Sequence, residues 1–375
     1  MGRRTRWRPG GQASPHGGVP DCRAPPNPCA HPKYRRSPRR AMPEGPEVQR
    51  SADLLHDALQ GRVVRQLDGR TKLAKAWLKA HPGAFEGRRV ERVWAHGKHL
   101  VGQVEGDLFF HSHYLMWGRW TVVAPDDEAV TTRDRRERAR VVTDDAVALL
   151  LSAPTFTVGR GDPYAEIPAL EHLGPDILPE RGAFDADAFL RRLDREPDRT
   201  IGAALLDQTV AAGIGNYLRA ELLYECRTDP WRLVRDLDAT ERERLVAEIP
   251  RISARAYREG GRTVPEAVQA RQAEDRDLRY SPYARPWNTK HWVFRRTNLP
   301  CLTCDDTVRQ KHQLTREWTD ETTGEPVEKK RIIYFCPTCQ GVAPEYVPKA
   351  NPHRDRRPPD SEWETPDDEA DPSDG

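Results

Sequence analysis

From Glu47 the apolar positions Val48, Ala52, Leu55 and Leu59 recur three to four residues apart, the spacing of one helix face, and Gly61 stands where that helix would end. Over residues 62–152 the pattern changes to short β-rich runs at 90–95, 99–104, 107–115, 120–123, 140–143 and 146–151. Such runs predict a β-sandwich over 42–180. From Phe184 the spacing is helical again, at 185–193, 200–211, 215–226, 240–259 and 264–274, which predicts a helical domain over 181–290. Residues 275–291 mix charges, aromatics and prolines as a linker, and 291–342 hold paired cysteines. The fold class expected is therefore multidomain α+β: an N-terminal β-sandwich, a helical domain and a C-terminal β-hairpin with cysteine knuckles.

Composition adds the ends to this picture. The 375 residues exceed what one core usually supports, and 37% apolar content with 33 prolines points to folded domains diluted by polar segments. Residues 1–41 are rich in Arg, Pro and Gly, with ten Lys or Arg against the single acid Asp21. They read as a disordered extension absent from the active protein. Residues 343–375 read as an acidic disordered tail, since 358–375 hold eight acids and no base. The charge between the ends is nearly balanced, so affinity for nucleic acid must come from a local patch. With no apolar run long enough for a membrane span and no secretory apolar core, the chain is expected to be a soluble, intracellular monomer.

Seven cysteines are an odd number, and four of them form Cys301-Leu-Thr-Cys304 and Cys336-Pro-Thr-Cys339. Two such turns each offer two thiolates to a tetrahedral ion, so one structural Zn2+ is expected at Cys301, Cys304, Cys336 and Cys339. Cys22, Cys29 and Cys226 have no motif partners and read as incidental thiols. The 31 residues between the knuckles are longer than a usual ribbon and contain a Thr322-Thr323-Gly324 turn, so they read as an extended hairpin. Lys329-Lys330-Arg331 places cations on it, either to meet phosphates or as a solvated charge run.

Two further segments carry candidate chemistry. Gly213, Gly215 and Asn216 form a tight turn between helical patterns, which either connects helices or aims N–H groups and an amide at a phosphate. Met42-Pro43-Glu44-Gly45-Pro46-Glu47 either makes a simple turn before the helix or, with proline at a free N-terminus, supplies a secondary amine able to attack a sugar aldehyde carbon. Glu44 beside it could shuttle a proton.

These motifs resemble, in order, those of the formamidopyrimidine-DNA glycosylase and endonuclease VIII family. The resemblance rests on residues 42–47, His-Gly-Lys-His at 96–99, Leu173-Gly174-Pro175-Asp176, Leu206-Asp207-Gln208, Gly213-Ile214-Gly215-Asn216-Tyr217 and the cysteine finger with Arg331. It implies a β-sandwich, a helix-two-turn-helix domain and a zinc finger, with double-stranded DNA carrying oxidised bases or abasic sites bound between the lobes. It implies catalytic roles for Pro43 as Schiff-base nucleophile, Glu44 as acid/base, Lys98 in phosphate binding and elimination, and Arg331 on the phosphates of the damaged nucleotide. Asn216 would contact phosphate, Leu115-Met116-Trp117 would either fill the void left by an extruded nucleotide or continue the preceding strand as sandwich core residues, and Glu47 would be a second acid near the active end.

Residues 215–221 and Thr131-Thr132-Arg133 look more like endonuclease VIII, which favours oxidised pyrimidines. Leu115 and His172 stand where that pattern has Gln and Arg, both at DNA-contact positions. The expectation is a bifunctional glycosylase and lyase of base excision repair, in a bacterial cytoplasm at the nucleoid. The alternatives are a purine-preferring formamidopyrimidine-type enzyme and a non-catalytic binder of damaged DNA. The chemistry also requires translation or processing to leave Pro43 at the N-terminus, because an amide nitrogen has no useful lone pair.

Overall fold

A computed structural model describes residues 43–179, 183–275, 278 and 290–348. The expectations for 1–41, for most of the linker and for the acidic tail beyond Pro348 lie outside the described residues. Helix α1 (Gly45–Leu59) opens the fold, with Pro46 in its first turn and Glu47 Oε2 accepting from the Glu44 N–H at 3.0 Å. Its buried face carries Val48, Ala52, Leu55 and Leu59, the residues whose spacing predicted it.

That face packs on a β-sandwich of two four-stranded antiparallel sheets. Strands β1 (Gln66–Gly69), β2 (Val90–His96), β3 (His99–Val104), β4 (Leu108–His113), β5 (Arg119–Val123), β6 (Glu137–Val142), β7 (Val147–Leu151) and β8 (Thr155–Arg160) pair in the orders β2-β3-β4-β8 and β1-β6-β7-β5. Leu100, Phe110, Trp120, Val141, Leu150 and Phe156 fill the space between the sheets.

The sequence pattern misses or misreads several pieces here. Helix α2 (Lys72–Ala80) lies in the stretch read as β-rich, because it is short and Ala74 alone of its residues is fully buried. Strand β1 is only four residues, and β8 lies past the last run identified. Strand β4 stops at His113, not Leu115.

The one-turn helix α3 (Glu128–Thr131) joins β5 to β6, and one-turn helices α4 (Pro163–Glu166) and α5 (Pro168–Glu171) lead to the helical lobe: α6 (Ala186–Leu193), α7 (Ile201–Ala204), α8 (Asn216–Glu225), α9 (Ala239–Arg258) and α10 (Glu266–Glu274). The helix expected over 200–211 is confined to α7, since Asp207 turns its carboxylate back onto the Thr209 N–H and hydroxyl and onto Arg199. Helix α8 is buried on all sides and is the centre of the lobe. The finger is a hairpin of β9 (Arg309–Thr319) and β10 (Pro326–Phe335), closed by the two cysteine turns and α11 (Pro337–Gln340).

Candidate active site

Five of the six sequence motifs meet where the sandwich lobe abuts the start of α8. Residues 173–177 run beside 208–212 through Gly174 N–H to Gln208 O, Ala212 N–H to Pro175 O and Ile177 N–H to Ala212 O, at 2.8 to 3.1 Å. The β2–β3 turn is tied to this pair, with the Gly97 N–H donating to Asp176 Oδ2 at 3.0 Å and His96 Nε2 lying 3.0 Å from Gly174 O. Burial pushes the Asp176 carboxyl up to about 6, against the N–H groups of Leu178 and Gly97 and the charge of His96. Gly45 N–H donates to Gly213 O, which docks the first turn of α1 onto the same loop.

Glu44 is the buried centre of this junction. Its side chain crosses to the N-terminus of α8 and accepts from the N–H groups of Gly215 (2.8 Å), Tyr217 (2.8 Å) and Leu218 (3.1 Å). A helix N-terminus offers free N–H groups and positive potential, so it is a natural seat for a carboxylate. A Cβ on Gly215 would lie 2.3 Å from Glu44 Cδ, which is why only glycine fits there. Burial nevertheless raises the Glu44 carboxyl to about 7, outweighing the charge of Lys98 and the N–H groups of Tyr217 and Leu218.

Lys98 donates to Ile214 O at 2.6 Å from the β2–β3 turn. Burial lowers its ammonium to about 8 and the Glu44 charge opposes that shift. The pair thus has one acid raised and one base lowered, both titrating close to neutrality, which suits proton transfer. Pro43 is half-buried and directly precedes Glu44 in the chain.

The other expected residues are distributed around this centre. Glu47 faces it from α1, accepting from Glu44 N–H, Arg50 and the Tyr217 hydroxyl. Asn216 accepts from Arg219 Nη2 at 2.7 Å. Leu115, Met116 and Trp117 sit beyond the end of β4 with more than half of each side chain exposed, so they are not core residues. Leu115 holds a φ of 49°, a left-handed conformation that costs energy in a non-glycine residue. Arg331 is exposed on β10. His172 is exposed at the end of α5, 3.7 Å from Glu171.

Sequence reasoning passed over Arg219 and Glu221, both fully buried on α8. Arg219 donates to Gly202 O, Gln313 Oε1, Asn216 Oδ1 and Ile332 O, so one guanidinium fixes the amide of Asn216 and the finger strand together. The Glu221 carboxylate accepts from the N–H groups of Trp292, Val293 and Phe294 and from the Thr263 hydroxyl, and so anchors the chain entering the finger. A charged residue inside an otherwise apolar helix was the available signal for both.

The four finger cysteines gather into one cluster whose sulfurs all lie within 4.8 Å of one another. Cys301 and Cys339 Sγ are 3.7 Å apart, and Cys304 and Cys336 Sγ 3.5 Å. A tetrahedral Zn2+ with Zn–S of about 2.3 Å sets its sulfurs about 3.8 Å apart, so the donors fit zinc by type and by spacing. Four thiolates leave no position for a substrate, so the metal would hold the finger and take no part in chemistry.

The fold and the site together define a two-lobed protein with a buried carboxylate at the lobe junction and a cysteine-clasped hairpin. Residues 42–154 match the model of the formamidopyrimidine-DNA glycosylase N-terminal domain, and residues 173–267 that of the formamidopyrimidine-DNA glycosylase H2TH domain. A probable endonuclease 8 2 of Streptomyces coelicolor is 35% identical over 81% of this chain and 96% of its own length. The formamidopyrimidine-DNA glycosylase of Thermus thermophilus is 32% identical over 81% of this chain and its whole length. Its crystal structure aligns over 80% of this chain with a TM-score of 0.58 at 29% identity. The Lactococcus lactis enzyme, solved in complex with DNA containing an abasic site, shares the fold with a TM-score of 0.60 over 79% of this chain at 20% identity. The chain belongs to the formamidopyrimidine-DNA glycosylase and endonuclease VIII family.

Proposed function

We propose that this protein is a bifunctional DNA glycosylase and lyase of base excision repair, acting on oxidised bases and abasic sites in duplex DNA, with pyrimidine lesions preferred. One observation carries the reading: the Glu44 carboxyl, next in chain to Pro43, is buried at the α8 N-terminus with a raised proton affinity and Lys98 beside it. The Pro43 nitrogen attacks C1′ of the lesion nucleotide and the damaged base departs with its bonding electrons. The C1′–O4′ bond then breaks as O4′ takes a proton, leaving an iminium that acidifies C2′; loss of the C2′ proton expels the 3′ phosphate, and loss of the C4′ proton in a second elimination expels the 5′ phosphate. Glu44 supplies the proton that opens the sugar ring, and Lys98, in its neutral form, assists proton removal.

Leu115, Met116 and Trp117 enter the space vacated by the extruded nucleotide, which their exposure and the left-handed turn at Leu115 support. Asn216 and Arg331 hold phosphates, with His172 and Glu47 at the edge of the DNA surface. One Zn2+ on the four cysteines holds the finger, and the protein works as a cytoplasmic monomer at the nucleoid. The Met42–Pro43 peptide bond makes the Pro43 nitrogen an amide in the 375-residue chain, so the active form begins at Pro43.

The test is incision of duplexes holding one thymine glycol or one 8-oxoguanine by a chain beginning at Pro43. The expected products carry phosphate at both ends of a one-nucleotide gap, and the pyrimidine lesion is cut faster. Products with an unsaturated aldehyde at the 3′ end would limit the reaction to one elimination, and faster cutting of the purine lesion would reverse the preference.

A further inference from the structure

The two strands of the finger hairpin differ sharply along their length. Gln313 and Thr315 are buried against the helical lobe, Gln313 bonding Arg219, Pro230 O and Thr200, and Thr315 O accepting from Arg199 Nη2 at 3.0 Å. From Arg316 onwards the hairpin stands clear of that lobe. The ladder shifts register at this point, between Lys329 and Lys330, and Thr315 Oγ1 bonds Lys329 O across the irregularity. A clamped bulge therefore sets the direction in which the distal half projects.

Directly paired residues share a face, so the pairs Gln313 with Arg331, Arg316 with Lys329 and Trp318 with Val327 sort the distal side chains. On the face of Arg331 lie Arg316, Lys329, Trp318 and Val327, with no acid. The Arg316 guanidinium sits 5.8 Å over the Trp318 ring, and the indole is 42% exposed. The opposite face carries Leu314, Glu317, Thr319, Pro326, Glu328 and Lys330, and there Lys330 is paired to Glu328. Of the three clustered cations, Lys330 is thus the one turned away and neutralised. The turn beyond holds Asp320, Glu321 and Glu325, so a contact with an anion must end before it.

We propose that the distal hairpin is a second DNA-contact surface, in which Arg316 and Lys329 continue the phosphate track of Arg331 and Trp318 lies against the sugars of the flanking duplex. This rests on the reading above that the chain binds lesion DNA. Arg331 to Val327 spans four residues, about 14 Å of strand, which corresponds to about four base pairs of rise. The segregation of cations and aromatic onto one face, with acids on the other, selects a polyanion with flat apolar surfaces and fixes which side it binds.

The experiment measures binding of the full chain to a 30-base-pair duplex with a central tetrahydrofuran, which mimics an abasic site without an aldehyde, between 50 and 200 mM salt. Replacing Arg316 and Lys329 together by Ala is expected to lower the slope of log K against log salt by about 1.8, at about 0.9 per phosphate. Lys330→Ala is expected to leave the slope unchanged. Trp318→Ala is expected to weaken binding to the 30-mer but not to a duplex that ends two base pairs beyond the tetrahydrofuran on the finger side. An unchanged slope in the double variant overturns the proposal, as does an equal drop in Lys330→Ala, which would make the effect one of bulk charge. A parent chain with no preference for the tetrahydrofuran duplex over undamaged DNA counts against the reading of the site itself, and is told apart by that comparison.

Discussion

The lobe junction and the distal finger hairpin treat charge in opposite ways. At the junction, Glu44 and Arg219 are both exposed by 2% or less, and each is bonded to groups far away in sequence. On the hairpin, Arg316, Lys329 and Arg331 remain in solvent. Burial shifts proton affinity by penalising the charged form, and the Glu44 carboxyl is moved to about 7 while Lys98 falls to about 8. Exposed cations interact with phosphates at a strength set by salt. The first arrangement is built for proton transfer and the second for grip, so lesions in the two regions should fail differently.

The sharpest break is expected from Glu44→Gln in a chain beginning at Pro43. It keeps the shape and removes the proton, so single-turnover base release should slow by about 10²- to 10⁴-fold while binding of tetrahydrofuran DNA persists. Equal loss of binding would show Glu44 to be structural. Chelating the metal, or replacing Cys301 by Ser, should come next. Zinc content and finger-dependent DNA affinity should fall together while the sandwich keeps its own unfolding transition.

Gly215→Ala forces its Cβ into the Glu44 carboxyl, and the expected cost is about 1–3 kcal/mol of stability by thermal unfolding, with loss of activity beyond that. A smaller effect is expected from pH. The Glu44 proton is fully present well below its pKa and is lost as pH rises through about 7, so base release should decline on that alkaline limb. The same sign holds for stability: the raised folded-state pKa gives a contribution present below the ordinary carboxyl range and lost as pH passes about 7. A base-release profile that is flat from pH 6 to 9 would remove Glu44 from the proton path.

What was legible in the sequence follows the same division. Helices α1 and α9 could be read because one face of each is buried and the other wet, and α9 also announces its start with Asp238 and Glu241 in a reciprocal cap, whereas β3, β4 and β7 could be read as short β-rich runs buried on both faces. The cysteine cluster was legible from spacing alone. Helix α2 was not, since little of it is buried, and the end of α7 was not, since a side-chain bond of Asp207 decides it. The meeting of Glu44 with Tyr217, 173 residues away, leaves no periodic trace. The resemblance named Glu44 and Asn216 as site residues without bringing Glu44 to Tyr217, and the reason for Gly215 is visible only once Glu44 is seen against it.

The most direct test of the account uses borohydride reduction during reaction with abasic-site DNA. A chain beginning at Pro43 should be trapped covalently on the DNA, with the adduct on the proline nitrogen by peptide mass, and the chain that retains Met42 before it should bind the same DNA without being trapped. Trapping of both chains to the same extent, or an adduct on Lys98 in place of Pro43, would contradict it.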